Sequence, residues 1–447
     1  MKMPMSPPDW RVLFEKVQVD NRLPHLWEVV NGPSHKGAYL HWDKLRHLQP
    51  PEDLSLDEWW LALKLNRNSI RTLIPLQDTQ ERTFSFLLPD PIPQWLHELD
   101  KRVGGSVEIS DQITSSDTRD RYIVNSLIEE SITSSQLEGA VTTREIAKGM
   151  IRSGRPARDI SEQMILNNYR TMQYIRGLKD KPLTPSLICE IQKRVTTDTL
   201  DDPTAAGRIR RPDEKIDVAD LYDEVFHNPP PSEELEQRMQ AMCDFANGKT
   251  PDSFVHPIIR AILLHFWLAY DHPFKDGNGR SARAIFYWSM LNNDYWICEF
   301  ISISQIIRRA PTQYYRSFLY TETDDNDLTY FILHHLGIIR KAVEELYAYI
   351  DRKTEETRLL VSKIQAIDYL NHRQRALISR ALRHPNETFT IESHRVSHNV
   401  VHQTARTDLQ SLAESGLLDA RKHGRTWVFK PAAELEKKLR KLKDPAK

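Results

Sequence analysis

Cysteine is scarce in this chain: three among 447 residues, Cys189, Cys243 and Cys298. They are odd in number and far apart, so they form neither a disulfide framework nor a metal-binding spacing. That usage suits a reducing cytosol. No apolar run reaches the ~18 residues of a membrane span, and the opening MKMPMSPPDW lacks the apolar core of a secretory signal. The sequence therefore predicts a cytoplasmic protein with no membrane partner. Charge imbalance is missing too, since the net charge is −1. This near-neutrality hides a split. Asn371 to Lys447 holds 16 Lys and Arg against 8 Asp and Glu, while the remainder holds 45 against 54. A basic end behind an acidic body fits either a nucleic-acid contact or a solvated face with a lysine-rich terminus. The length allows about three domains.

What the chain does have is concentrated in one stretch, His272-Pro273-Phe274-Lys275-Asp276-Gly277-Asn278-Gly279-Arg280-Ser281-Ala282-Arg283. A long apolar run, Pro257 to Tyr270, leads into it with helical length. It must end near Asp271, because His272 precedes a proline and is pushed out of the α region. Gly277 and Gly279 allow positive φ and close backbone approach. A second helical run starts at Arg280. A glycine turn feeding a helix N-terminus is an anion site, with backbone donors and the positive dipole end converging. The side chains suit a nucleoside triphosphate. Asp276 is a hard oxygen ligand for Mg²⁺. Asn278 can donate to a phosphate oxygen. Arg280 and Arg283, three apart, project from one side of the first turn. His272 titrates near neutrality and is a natural general base. Phe274 reads as an apolar anchor. Each residue alone has an ordinary structural reading; the fixed order of all of them does not.

This stretch resembles the signature of the Fic family, HxFx(D/E)GNGRxxR, at every specified position. The resemblance implies a mainly α fold, a Fic-type helical bundle with a β-hairpin flap. It also implies transfer of AMP from ATP to a Ser, Thr or Tyr hydroxyl of a target protein. By resemblance, His272 would deprotonate that hydroxyl, Asp276 would hold Mg²⁺, Gly277, Asn278 and Gly279 would form the anion hole, and Arg280 and Arg283 would bind the outer phosphates.

Upstream, Asp120 to Leu137 reads as an amphipathic helix closed by Gly139. Its end, Ser134-Ser135-Gln136-Leu137-Glu138-Gly139, resembles the family's inhibitory motif (S/T)xxxE(G/N). That likeness implies that Glu138, with Ser134, reaches Arg283 and takes the charge partner of the γ-phosphate. Between the two motifs, Gly207 to Pro231 looks like a hairpin closed by three prolines. The resemblance places a flap within about 209–225, where a target segment would add as a strand. Tyr315 or Tyr314 is the candidate for stacking on adenine. The adjacent His334 and His335 read as structural.

The first 110 or so residues are rich in Trp, Pro and Leu, with helical fragments such as Leu54 to Asn68 and no catalytic constellation. They would pack on the core or build a homodimer interface. At the other end, His372–Arg383, Ile391–Asn399 and Val401–Ser415 read as helices, and Leu417–Arg421 with Thr426–Lys430 as a basic hairpin. That pattern is a winged helix-turn-helix, with His402, Gln403, Thr404, Arg406 and Thr407 on its candidate recognition helix. DNA and protein are both open as its partner. The expected domains are 1–114, 115–355 and 356–447. The expected function is a protein adenylyltransferase restrained by Glu138, acting on a target protein or on itself. Two alternatives stay open: removal of AMP at the same site with Glu138 as base, and a DNA-binding regulator with a nucleotide-sensing body.

Overall fold

The computed structural model describes all residues except 1, 52, 105–115, 215, 220–224, 366, 368, 386, 424–425 and 442–447. The expected domain boundary at 114/115, the tip of the flap, the turn at Gly424-Arg425 and the lysine-rich terminus lie outside the described residues. The fold is mainly helical. The chain forms two compact units: residues 1–105 with 126–343, and residues 106–125 with 344–447.

In chain order the first unit begins with α1 (Trp10–Val19), α2 (Leu23–Val29), α3 (Trp42–Leu45) and α4 (Leu56–Ser69). Helix α4 starts at a capping box, in which Ser55 Oγ accepts from Glu58 N and the Glu58 carboxylate accepts from Ser55 N. It buries Trp59, Trp60, Leu61 and Leu63 against Leu26, Trp42 and Leu45. An antiparallel hairpin follows, β1 (Thr72–Gln77) and β2 (Thr83–Phe86), with Thr72 opposite Phe86. Sequence reasoning expected only helical fragments here. The alternation of buried Ile74 and Leu76 with exposed neighbours makes the strand, and Pro75 at an exposed position disguised it.

Next come α5 (Ile92–Leu99), α6 (Ser116–Leu137), α7 (Arg144–Ser153), α8 (Ile160–Arg176) and α9 (Pro185–Thr196). The N-caps of α7, α8 and α9 are Thr143, Asp159 and Thr184, each accepting a backbone N–H of its first turn. A short hairpin, β3 (Val218–Ala219) with β4 (Val225–His227), precedes α10 (Leu235–Ala246), α11 (Pro257–Asp271) and α12 (Asn278–Asn292). Then follow α13 (Ile303–Arg309), α14 (Pro311–Thr323) and α15 (Thr329–Gln365).

Helices α11 and α12 are buried along nearly their whole length, as expected of the central elements of a bundle, and the polar side chains of α12 lie mostly in its first two turns. Helix α12 packs on α8, α9 and α11, and α10 packs on α11. The N-terminal residues join this core through buried ion pairs. Lys64 Nζ lies 2.7 Å from Asp324 Oδ1, and Arg67 donates to the Tyr330 hydroxyl at 2.8 Å. Tyr330 in turn donates to Asp324 Oδ2 at 2.7 Å. This region thus packs on the core.

Helix α15 is one continuous element of 37 residues. The second unit then holds α16 (His372–Arg383), β5 (Phe389–Thr390), α17 (Ile391–His398), α18 (His402–Glu414), β6 (Leu418–His423), β7 (Thr426–Pro431) and α19 (Leu435–Lys441). Its sheet has three strands in the order β5-β7-β6, not two, because Phe389 and Thr390 pair with Phe429 and Val428. Leu377, Ile378, Leu409, Leu412, Leu418 and Phe429 form its core. No described helix is long and apolar enough to cross a membrane.

Candidate active site

His272 is the C-cap of α11. Its φ of 44° and ψ of 56° are left-handed, an uncommon backbone for a residue with a Cβ. The conformation is held from outside the helix. Arg210 Nε donates to the His272 carbonyl at 3.1 Å, and Arg210 N donates to the Pro273 carbonyl at 2.9 Å. Nδ1 of His272 lies 3.2 Å from the Ala269 carbonyl. A carbonyl can only accept, so Nδ1 carries the proton and Nε2 keeps its lone pair. Burial pushes this imidazole down to about 4, against raising contributions from Ala269 and Glu138. The ring is therefore neutral at physiological pH.

Phe274 is fully buried, as an anchor should be. Gly277 is the N-cap of α12 with φ 82°. A Cβ there would meet Thr196 Cγ2 at 2.6 Å, so both conformation and space demand glycine. Gly279 differs from expectation. It lies within the first turn of α12 without positive φ, and a Cβ there would collide with Glu138 Oε1. Close approach, rather than unusual backbone, requires the second glycine. Asn278 also differs. Its side chain accepts from Phe274 N at 3.0 Å and donates to the Phe274 carbonyl at 2.7 Å. That amide staples the loop shut instead of facing outward as a phosphate donor.

The two arginines split. Arg280 is buried and donates to the Val195 carbonyl at 2.8 Å and to Asp276 Oδ2 at 3.0 Å. The Asp276 side chain keeps 47% of its surface exposed. Its Oδ1 accepts from Gly277 N at 2.5 Å, which curls the turn. Arg283 faces α6. Its Nε donates to Ser134 Oγ at 2.8 Å, and its NH2 donates to the Ser134 carbonyl at 3.0 Å and to Glu138 Oε1 at 2.7 Å. Burial pushes the Glu138 carboxyl up, but the Arg283 charge and hydrogen bond, with Arg280 and His272 nearby, hold it below the usual range. Glu138 is ionised there, with its carboxylate against the backbone of Gly279.

Tyr314 is buried, its hydroxyl 3.0 Å from His265 Nε2, and so is a core residue. Tyr315 is 41% exposed and close enough to Glu138 to feel its charge. His335 stacks on Phe331 inside the core, in keeping with a structural role for the His334–His335 pair.

Three residues went unnoticed in the sequence. Gln192 on α9 donates to the Asp276 carbonyl at 3.0 Å and accepts from Gly207 N at 2.6 Å, linking the glycine turn to the start of the flap region. Arg210 ties that region to His272, and its NH2 also donates to the Pro230 carbonyl. His227, on β4, lies 2.7 Å from Glu322 Oε2 and 2.7 Å from the Tyr270 carbonyl. The observed hairpin, 218–227, sits at the C-terminal end of the expected 209–225 range and extends past it.

This is a helical bundle whose buried centre presents a neutral histidine beside a glycine-capped, arginine-bearing helix start. The model of the Fic/DOC family matches residues 182–290, the stretch from α9 into α12. A protein adenylyltransferase Fic of Nematostella vectensis is 32% identical over 171 residues, which is 37% of this chain and 38% of that protein. One from Drosophila willistoni is 32% identical over 126 residues, 27% of this chain and 22% of that protein. The chain thus spans well under half the length of these curated relatives. A Fic family protein from Desulfovibrio desulfuricans shares the fold, with a TM-score of 0.52 at 18% identity over 78% of this chain and 98% of that one.

Proposed function

We propose that this protein is a protein adenylyltransferase that moves AMP from ATP to a Ser, Thr or Tyr hydroxyl and is restrained by its own Glu138. The observation that carries the reading is the neutral His272, with Nδ1 engaged and Nε2 proton-free, beside the Gly277-capped start of α12. Nε2 takes the proton of the target hydroxyl. The hydroxyl oxygen bonds to the α-phosphorus, the bond from that phosphorus to the bridging oxygen breaks, and pyrophosphate leaves. The catalytic gain comes from one base, fixed donors and charge neutralisation. The first turn of α12, with Gly277 and Gly279, offers its N–H groups to the phosphates. Arg283, once free of Glu138, meets the outer phosphates. In this reading the exposed Tyr315 stacks on the adenine. Arg280 acts by holding Asp276.

Mg²⁺ fits this donor set. Among the described residues no cluster of three metal-ligating side chains exists, while Asp276 offers one half-exposed carboxylate. That suits an ion held by a single carboxylate and the substrate's phosphates. Mg²⁺ bound by Asp276 would neutralise charge on the phosphates.

Supporting the restraint, Glu138 occupies the space over Gly279 and pairs with Arg283. Bidentate Arg–carboxylate and Arg–phosphate contacts compete for the same guanidinium edge. The names of the curated relatives support the activity. The target could be another protein or a second copy of this chain, and the cytoplasm is the expected compartment. The test is ATP labelled at the α- or the γ-phosphate, with label followed on protein. Label from the α position alone, lost in His272→Ala, is the expected result. Label from the γ position alone would overturn the reading.

A second reading concerns the second unit, whose element order we interpret as a winged helix. Gln403, Arg406 and Thr407 lie exposed on α18, opposite the buried Ala405, Leu409 and Leu412. This is a groove-capable face, and it supports a DNA contact. Fluorescence anisotropy with duplex DNA should show binding that weakens steeply with salt and is lost in Arg406→Ala. Binding unchanged by that variant would contradict it.

A further inference from the structure

Glu130 is buried and, although its charge reaches Arg283, no cation among the described residues is shown in ion-pair contact with it. It lies on α6 two turns before Glu138, and Glu130, Ser134 and Glu138 recur every four residues along one stripe of the helix. Only 2% of its surface is exposed. Four donors converge on it. The Tyr287 hydroxyl donates to Oε2 at 2.9 Å, the Ser302 hydroxyl to Oε2 at 2.7 Å, Ser304 N to Oε2 at 3.1 Å, and the Ser304 hydroxyl to Oε1 at 2.5 Å. Thr133 Oγ1 meets Ser302 Oγ at 3.3 Å, and Tyr287 also receives Ile303 N at 2.9 Å.

These contacts align with the restraint. On α12, Tyr287 follows Arg283 by four residues. On α6, Glu130 precedes Ser134 by four. The two helices are therefore joined by two rungs, Arg283 to Ser134 and Glu138, and Tyr287 to Glu130. Sliding or turning α6 to carry Glu138 away from Arg283 would break the second rung as well. It would leave a buried carboxylate facing unpaired donors, the costliest kind of broken hydrogen bond.

We infer that Glu130 is a positioning residue that fixes the register of α6 against α12, and so sets how firmly Glu138 holds Arg283. This rests on the proposal that Glu138 restrains nucleotidyl transfer. A neutral amide at 130 is nearly the same size but turns one oxygen into a donor facing donors, so it loosens the rung without emptying the site. Tyr287→Phe removes one donor and keeps the ring.

The test uses the full chain and two readouts. The first is hydrogen exchange of the peptide covering 131–138 without nucleotide. The second is α-label transfer from ATP. In Glu130→Gln, we expect exchange of 131–138 to speed up by roughly 5- to 30-fold, with a smaller change in the same direction for Tyr287→Phe. Exchange in α11 should be unchanged. Transfer by Glu130→Gln should exceed wild type, and Glu130→Gln/Glu138→Gly should be no faster than Glu138→Gly. A further gain in the double variant, or unchanged exchange at 131–138, would overturn the inference. Global acceleration of exchange in both variants would do so too, by making Glu130 a mere fold element. If Glu138→Gly itself transfers nothing, the proposed activity fails, while the exchange result still decides whether Glu130 sets the register.

Discussion

Among single residues His272 is the proposed base, and its environment fixes when it can work. With its pKa pushed to about 4 by burial, the ring is a proton-free base throughout the neutral range. It becomes an acid only as pH falls toward that value. Glu138 is one of the neighbours raising it, so its removal moves the midpoint down if it moves at all. The acidic limb of transfer by Glu138→Gly should therefore fall below pH 5, measured as initial rate of α-label incorporation. A limb centred near 6.5, the ordinary histidine value, would mean that the base is a solvated ring or another group. His272→Ala should lower the rate by roughly 100-fold or more, the usual contribution of a positioned base.

Two kinds of residue here were unequally legible in the sequence. Those proposed to act on the substrate, His272, Asp276, Gly277 and Arg283, stand in fixed order within one short stretch. Those that hold the stretch in shape were hidden, because Gln192 and Arg210 reach Asp276 and His272 across 84 and 62 residues of chain. Asn278 and Arg280 were visible but misassigned in detail. Whether a polar side chain turns outward to a ligand or back to its own loop depends on packing around it, and spacing does not record that.

Among the elements, the segment from Gly207 to Pro231 is clamped at its base. Arg210 reaches the His272 and Pro230 carbonyls, and His227 bridges Glu322 and Tyr270. Arg210→Ala should free the His272 carbonyl and relax its left-handed backbone. In the Glu138→Gly background we expect about a tenfold loss of transfer rate with ATP affinity unchanged, because misplacing a base costs rate rather than nucleotide contacts. Equal loss in rate and affinity would place Arg210 in the nucleotide site instead. Helix ends and the long apolar helices α11 and α12 followed directly from their patterns. The β1–β2 hairpin and strand β5 did not. A proline sits in the first, and the second is two residues long, so its identity comes from a partner strand rather than from its own alternation.

For the molecule as a whole, buried neutral histidines set the response to acid. Burial pushes His41, His272 and His334 down to about 4, and His265 and His335 well below the ordinary value. In the unfolded chain these rings take up protons near 6.5, so between 6.5 and 4 the unfolded state binds more protons than the folded one. Their contribution to stability is present above pH 6.5 and is lost as pH falls through that window. His227 runs the other way, since Glu322 and the Tyr270 carbonyl outweigh its burial and raise it. Its contribution is present at low pH and fades as pH rises through its folded value. His35 and His398 are lowered as well, and seven rings against one predict a Tm that drops by several degrees between pH 7 and pH 5, measured by calorimetry. All of these rings but His398 lie in the first unit, so the corresponding transition should carry most of the drop.

The proposed restraint of nucleotidyl transfer is the pairing of Glu138 with Arg283. The most direct measurement compares the initial rate of protein labelling from α-labelled ATP with Mg²⁺ in wild type, Glu138→Gly and Glu138→Gly/His272→Ala. The account predicts a rate at least tenfold above wild type in the single variant, about the effect of freeing one charge-assisted contact, and none in the double variant. Equal rates in wild type and Glu138→Gly would contradict the restraint. No label in any of the three, together with loss of AMP from a pre-labelled protein in wild type alone, would instead make Glu138 a base for AMP removal.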